Sequence, residues 1–395
     1  MTGVCARGIV TPIFQRGDDL VAMVCDSVLK ASQAEGFALH DRDVVAVTEA
    51  VLGRTQGNYA TYGQIASDIR AKFGSDGDRV GSLGAVFPIQ SRNRFAVLPA
   101  IAMAADRLYV LLSYPSDEFG NTLFDPARLE ETGVNPYTDG FDEAGFRKSF
   151  GHDTVHPFTG VDYIESYKNF GDNIEIVFSN DPRYILEYTG NVLCCDVHSR
   201  ARTKAALRKT GAERVLGLDD ILTQPVEGSG YNAEYGLLGH NKAAEDRVKL
   251  FPRDSGEFVL KLQSALYDAT GKRFEVMVYG DGAFKDPRHG IWELADPVVS
   301  LAHTGGLDGV PNEIKIKYVA DDKLAGVSGQ ALIDAIKTEI RGKDANLVGQ
   351  KASLGTTPRY VCDLLGSLAD LVSGSGDRGT PVVLIQNYFS NYASE

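Results

Sequence analysis

Hydrophobic and polar positions along this 395-residue chain change their period several times, and each change predicts an element. Across residues 16–35, Leu20, Met23, Val24, Val28 and Leu29 fall at helical spacing, behind Asp18 or Asp19 as a cap. DVVAVT, residues 43–48, is a β-branched run that predicts a buried strand, followed by a loop with Gly53 and Gly57. A helical pattern returns over residues 65–73. From about residue 91, helix-like segments (95–105, 203–209) alternate with strand-like ones (108–113, 174–178, 191–195, 214–216). Such βα alternation predicts a parallel or mixed sheet with helices on its faces. Residues 116–170 are polar, aromatic and rich in Gly and Pro, and read as loop and short helix.

The pattern changes again after Gly228. Residues 248–251 predict a strand, 256–269 a helix, and 274–279 (FEVMVY) a strand that runs into the acidic loop GDGAFKDP. EIKIKYV, residues 313–319, alternates cleanly and predicts a half-exposed strand. A helix over 360–371, a glycine-rich turn over 374–379 and a strand over 381–386 complete the chain. The expected fold is α/β, in three stretches: 1–90, 91–228 and 229–395.

Charge narrows the partners. The chain carries 40 basic and 53 acidic side chains, a net −13. An acidic surface repels phosphate backbones, so nucleic acid is not an expected partner. The five cysteines are irregularly spaced and form no CxxC pair, which argues for reduced thiols in the cytoplasm. MTGVCARGIV has no basic segment leading into an apolar core, and the longest apolar stretch, 95–105, is too short for a bilayer. No secretory signal and no membrane span are expected.

The chemistry concentrates in two loops. In the first, Asp281 follows a buried strand directly. An aspartate at a strand's carboxyl end commonly faces a ligand crevice, and its oxygens suit Mg2+ or Mn2+ carrying phosphates. The flanking Gly280 and Gly282 would let backbone approach a ligand, Lys285 adds a phosphate-pairing charge, and Asp286 a second carboxylate. Asp-Gly also serves ordinary turns. In the second loop, SGSGDRGTP, consecutive amides around Gly374 and Gly376 can cradle an anion; the same residues also suit a helix C-cap and turn. Arg92 and Arg94 could clamp an anion or form a solvated edge. His152 and His156 stand at i, i+4 outside a clear helix, and His240 and His289 lie in loops. No GxxxxGK[ST], GxSxG or HExxH occurs.

Several segments, in order, carry a family pattern. GDDL (17–20), DRDVVAVTEAVLGRTQG (41–57), VKLFPRDSGEFVLKLQSALYDATGKRFEVMVYGD (248–281), EIKIKYVADD (313–322) and CDLLGSLADLVSGSGDRGTPVVLI (362–385) resemble the coenzyme F-420 γ-glutamyl ligases. The resemblance covers roughly 5–90 and 229–390, and leaves 91–228 as an inserted α/β region. It implies a homodimeric enzyme that uses GTP or ATP with Mg2+ or Mn2+ to activate a small carboxylic acid, to which an amino acid such as L-glutamate is joined. By position it implies Asp281 on metal, with Asp286 beside it. It places Lys285 and Arg54 on phosphate, and Gly53, Asn241, Gly374 and Gly376 at the cofactor. Two positions depart from the family pattern: Ala50 replaces a lysine, and Leu238 a metal-binding aspartate. A rival reading is therefore a catalytically inactive ligand-binding or regulatory protein on the same fold.

Overall fold

The computed structural model describes residues 3–74, 78–89, 96–152, 154–155, 160–282, 284–285, 292–293, 296–353, 359–373 and 377–394. The chain opens with β1 (Cys5–Ile9), α1 (Leu20–Glu35), β2 (Val44–Thr48), α2 (Glu49–Thr55), β3 (Tyr59–Thr61) and α3 (Tyr62–Lys72). Next come β4 (Val80–Val86), α4 (Leu98–Ala104), β5 (Ala105–Leu112), α5 (Arg128–Thr132), β6 (Phe141–Asp142), α6 (Glu143–Phe150) and α7 (Tyr163–Lys168). They are followed by β7 (Ile174–Phe178), β8 (Asn191–Cys194), α8 (Arg200–Lys209) and β9 (Arg214–Gly217). The remainder holds β10 (His240–Ala244), β11 (Arg247–Leu250), α9 (Ser255–Thr270), β12 (Glu275–Tyr279), β13 (Phe284–Lys285) and β14 (Trp292–Glu293). β15 (Ser300–His303), α10 (Gly329–Arg341), α11 (Val361–Ser373) and β16 (Val382–Gln386) end it.

Two main sheets organise this α/β fold. The first has the order β1-β16-β2-β12-β15, with only β2 and β12 parallel. Both its faces are covered. Val45, Val47, Val276 and Val278 pack with Val24, Val28, Leu262 and Leu266 of α1 and α9. Val44, Ala46 and Met277 pack with Leu365 and Ala369 of α11. A strand buried on both faces reads as a continuous apolar run, which is why residues 43–48 and 274–279 stand out in the sequence.

The second sheet has the order β6-β7-β5-β4-β8-β9. β4, β5, β7, β8 and β9 are parallel, and β6 is an antiparallel edge. Among the parallel strands, the first in the chain lies between the second and the fourth. That is a doubly wound sheet whose topological switch falls between β4 and β8. A small antiparallel sheet, β10-β11-β3, adjoins it. Ile65, Ile69, Val248 and Leu250 share one apolar cluster with Leu83, Val97, Leu98, Val110 and Leu193. The core under the doubly wound sheet thus draws on residues before 91 and after 228.

Two expectations are corrected. The segment after β2 is not a loop at Gly53: it is α2, started by Ala50 N–H donating to Thr48 Oγ1 at 3.4 Å. Gly53 lies inside this helix because a Cβ there would stand 3.1 Å from the Leu250 carbonyl oxygen. Residues 313–319 are not a strand. Ile316–Tyr318 is a helical turn that passes into a π-turn, Val319–Lys323. The segment carries strand alternation but has no neighbouring strand to pair with among the described residues, and Ile316 stays exposed.

Candidate functional site

The site begins where two parallel strands end together. β2 and β12 pair in register, Thr48 opposite Tyr279, so Glu49 and Asp281 emerge at the same edge of the first sheet. Glu49, 3% exposed, begins α2. Lys249 Nζ lies 2.6 and 2.5 Å from its two carboxylate oxygens, and Asn241 Nδ2 donates to it at 3.2 Å. Asn241 and Lys249 are cross-strand partners on β10 and β11, which is how both reach one carboxylate. Burial raises the Glu49 pKa; the Lys249 charge opposes that shift and the Asp296 charge adds to it.

Asp296 ties this cluster to Asp281. It is buried, and its Oδ2 accepts the Asp281 N–H at 2.9 Å. The Gly282 N–H donates to Asp370 Oδ2 on α11 at 3.0 Å. The glycines beside Asp281 also have a packing reason. A Cβ on Gly280 would stand 2.5 Å from Asp296 Oδ2, and one on Gly282 would stand 2.8 Å from the Ser367 Cα.

Asp281 opens onto a cleft of about 600 Å3 shared by the two sheets. The first sheet and its loops supply Asp281, Asp296, the segment 297–300, Tyr360 and Asp363; the doubly wound sheet supplies Glu118, Phe119 and His198. The latter three lie on loops that leave the carboxyl ends of β5 and β8, beside the topological switch. Phe119 and His198 meet edge to face with centroids 5.5 Å apart. The Glu118 carboxylate accepts the N–H groups of Val197 at 2.5 Å, His198 at 3.1 Å and Ser199 at 3.1 Å, and the Ser199 hydroxyl at 3.1 Å. Amides ahead of a helix at a switch point are where doubly wound folds hold phosphate. Here a side-chain carboxylate takes that place.

The expected site residues divide. Asp281 lines the cleft, and Asn241 joins it through Glu49. Arg54 Nε donates to the Phe14 carbonyl at 2.7 Å in the last turn of α2, and Gly53 packs on the end of β11; neither is part of the cleft wall. Lys285 is in β13, with its side chain outside the described residues. Asp286, Gly374 and Gly376 lie outside the described residues, as do Arg92, Arg94, His156 and His289. Leu238, 1% exposed, sits in the core beside His240, Val97 and Leu98. Among the described residues no group of three His, Cys, Asp or Glu side chains could hold a metal ion.

Glu49 was legible by the rule that finds Asp281, since it directly follows a buried strand. Lys249 and Asp363 lie inside segments that carry the family pattern, Asp296 and Glu118 stand in none, and the roles of all four needed the fold. No described helix is long and apolar enough to cross a membrane. A family model described as F420-0:Gamma-glutamyl ligase matches residues 8–387. No curated protein matches the chain.

Proposed function

The chain belongs to the F420-0:γ-glutamyl ligase family, and on that premise we propose that it joins an amino acid, L-glutamate foremost, to a small carboxylic acid at the Asp281 cleft. GTP or ATP would drive the reaction with Mg2+ or Mn2+. The observation that carries this reading is Asp281 at a strand tip, on the wall of a cleft within the 300–1,000 Å3 range typical of small-molecule sites.

The donor set fits such a metal. Mg2+ bound with a nucleotide keeps waters and phosphate oxygens and takes only one or two protein carboxylates. Asp281, backed by Asp296, meets that need without a cage of three protein donors. When bound, the ion offsets charge on the transferring phosphoryl group. In the overall chemistry the terminal phosphoryl group passes to a carboxylate oxygen of the acceptor. The amine nitrogen then forms the C–N bond, the acyl C–O bond breaks, phosphate leaves, and the nitrogen gives up one proton. Asp363, half-buried on the cleft wall, is the group this reading assigns to accept that proton. Phe119 and His198 bring aromatic edges to the same space and would shape the acceptor subsite. A cytoplasmic homodimer belongs to the same reading.

The test is thermal melting with GTP or ATP plus Mn2+, followed by nucleotide turnover with carboxylic acid and L-glutamate added singly and together. Turnover that requires both substrates, and falls at least tenfold in Asp281→Asn, supports the ligase. An Asp281→Asn protein that responds to nucleotide and Mn2+ as the parent does would remove Asp281 from the site. One observation favours the second reading, an inactive binder: Leu238 lies in the apolar core where a family aspartate is expected. Under that reading the nucleotide raises the melting temperature and no turnover follows with any acid.

A further inference from the structure

A second cavity, of about 310 Å3, lies at the N-terminus of α9, between residues 231–235 and 252–256. Its lining shares no residue with that of the Asp281 cleft.

Three independent features converge there. First, α9 has 16 residues, and its cap residue Asp254, at φ 55°, makes no side-chain capping hydrogen bond. The first amides of a helix have no partner within it, and they carry the positive end of its dipole. Gly256, in the first turn, is exposed and lines the cavity. Second, Ser255 forms part of the wall and is 8% exposed, and its buried hydroxyl has no hydrogen-bond partner. A buried polar group is normally satisfied. Third, the Arg253 guanidinium lies over the Tyr231 ring at 5.3 Å and donates to Asn58 Oδ1, yet it pairs with no carboxylate among the described residues. Its main chain is held on both sides by Gln56, at 2.6 and 2.8 Å.

We propose that this cavity binds a small oxyanion, the carboxylate or phosphate group of a metabolite, at a site separate from Asp281. Arg253 supplies charge, Ser255 a hydroxyl donor, and the first turn of α9 its amides. Two acidic residues, Glu234 and Asp254, also line the cavity. Glu234 is engaged by the Tyr235 hydroxyl, and Asp254 is exposed to solvent. They set a limit on the charge the site can take.

The experiment titrates orthophosphate and acetate separately into the full-length protein and follows the Gly256 amide by nitrogen-15 NMR. The expected result is a saturable shift with at least one anion; which anion acts tells phosphate from carboxylate. Arg253→Gln should weaken that binding at least tenfold and Ser255→Ala severalfold. Asp281→Asn should leave it unchanged, so failure of the ligase reading would not touch this one. A Gly256 amide that moves with neither anion overturns the proposal, as does parental affinity in Arg253→Gln. If Arg253→Gln does not fold, the parent titration decides alone.

Discussion

A carboxylate buried as deeply as Glu49 depends on the ammonium group against it. Removing one member of a buried pair leaves an uncompensated charge and costs about 3–5 kcal/mol. Lys249→Met should lower stability by about that amount, read from urea unfolding, and adding Glu49→Gln should restore most of it. A Lys249→Met protein as stable as the parent would mean that Glu49 is already neutral. Asp196 gives a second case. It is fully buried and accepts hydrogen bonds from the hydroxyls of Ser199 and Thr203, both at 2.7 Å. Burial raises its pKa above the ordinary 3.8, against the pull of those hydrogen bonds. The folded state therefore holds this proton more tightly than the unfolded one. Its contribution to stability is present below about pH 3.8 and is lost as pH rises through the folded value. Asp196→Asn should flatten the fall in unfolding free energy above that pH; an unchanged slope would assign the fall to other groups. At this scale the sequence exposes strand-tip residues such as Asp281, but not the packing reasons for Gly280 and Gly282.

At the scale of elements, Glu118 has the clearest consequence. Its carboxylate takes three backbone amides and a hydroxyl ahead of α8, and so joins the loop after β5 to the loop after β8. Losing a cap costs about 0.5–2 kcal/mol. Glu118→Ala should lower stability within that range and speed hydrogen exchange at Val197, His198 and Ser199, with little change in β12. Unchanged exchange at those amides would show that the carboxylate does not hold the loop. Elements were legible where burial was two-sided. β2, β12 and β16 are continuous apolar runs and lie close to the expected positions. β4, with the sequence VGSLGAV, gave no strand signal. A Cβ on Gly84 would stand 2.5 Å from Ile185, so close packing requires a residue with no strand propensity. Residues 313–319 fail in the opposite direction, because alternation makes a strand only where a partner strand waits.

At the scale of the whole molecule, the region between residues 91 and 228 shares an apolar cluster with the rest of the chain. Its core is continuous with Ile65 and Ile69 of α3 and with Val248 and Leu250 of β11. Excising 91–228 would leave those side chains in water, at about 25 cal/mol for each Å2 of apolar surface exposed. We expect the shortened chain to lose its cooperative melting transition in near-UV circular dichroism. A sharp transition close to the parent's would instead show a first sheet that folds independently. The cleft makes the same point, since its walls come from both sheets.

The sequence by itself determined the α/β class, the apolar strands of the first sheet, the family resemblance and the place of Asp281 at a strand tip, because these are written in local runs and in ordered motifs. Tertiary structure alone decided that Glu49, Asn241 and Lys249 share one cluster, that Asp296 stands behind Asp281, and that Glu118, Phe119 and His198 close the cleft. Glu49 and Lys249 alone lie 200 positions apart, and only the pairing of strands and the packing of two sheets over one core bring such charges within a few ångströms.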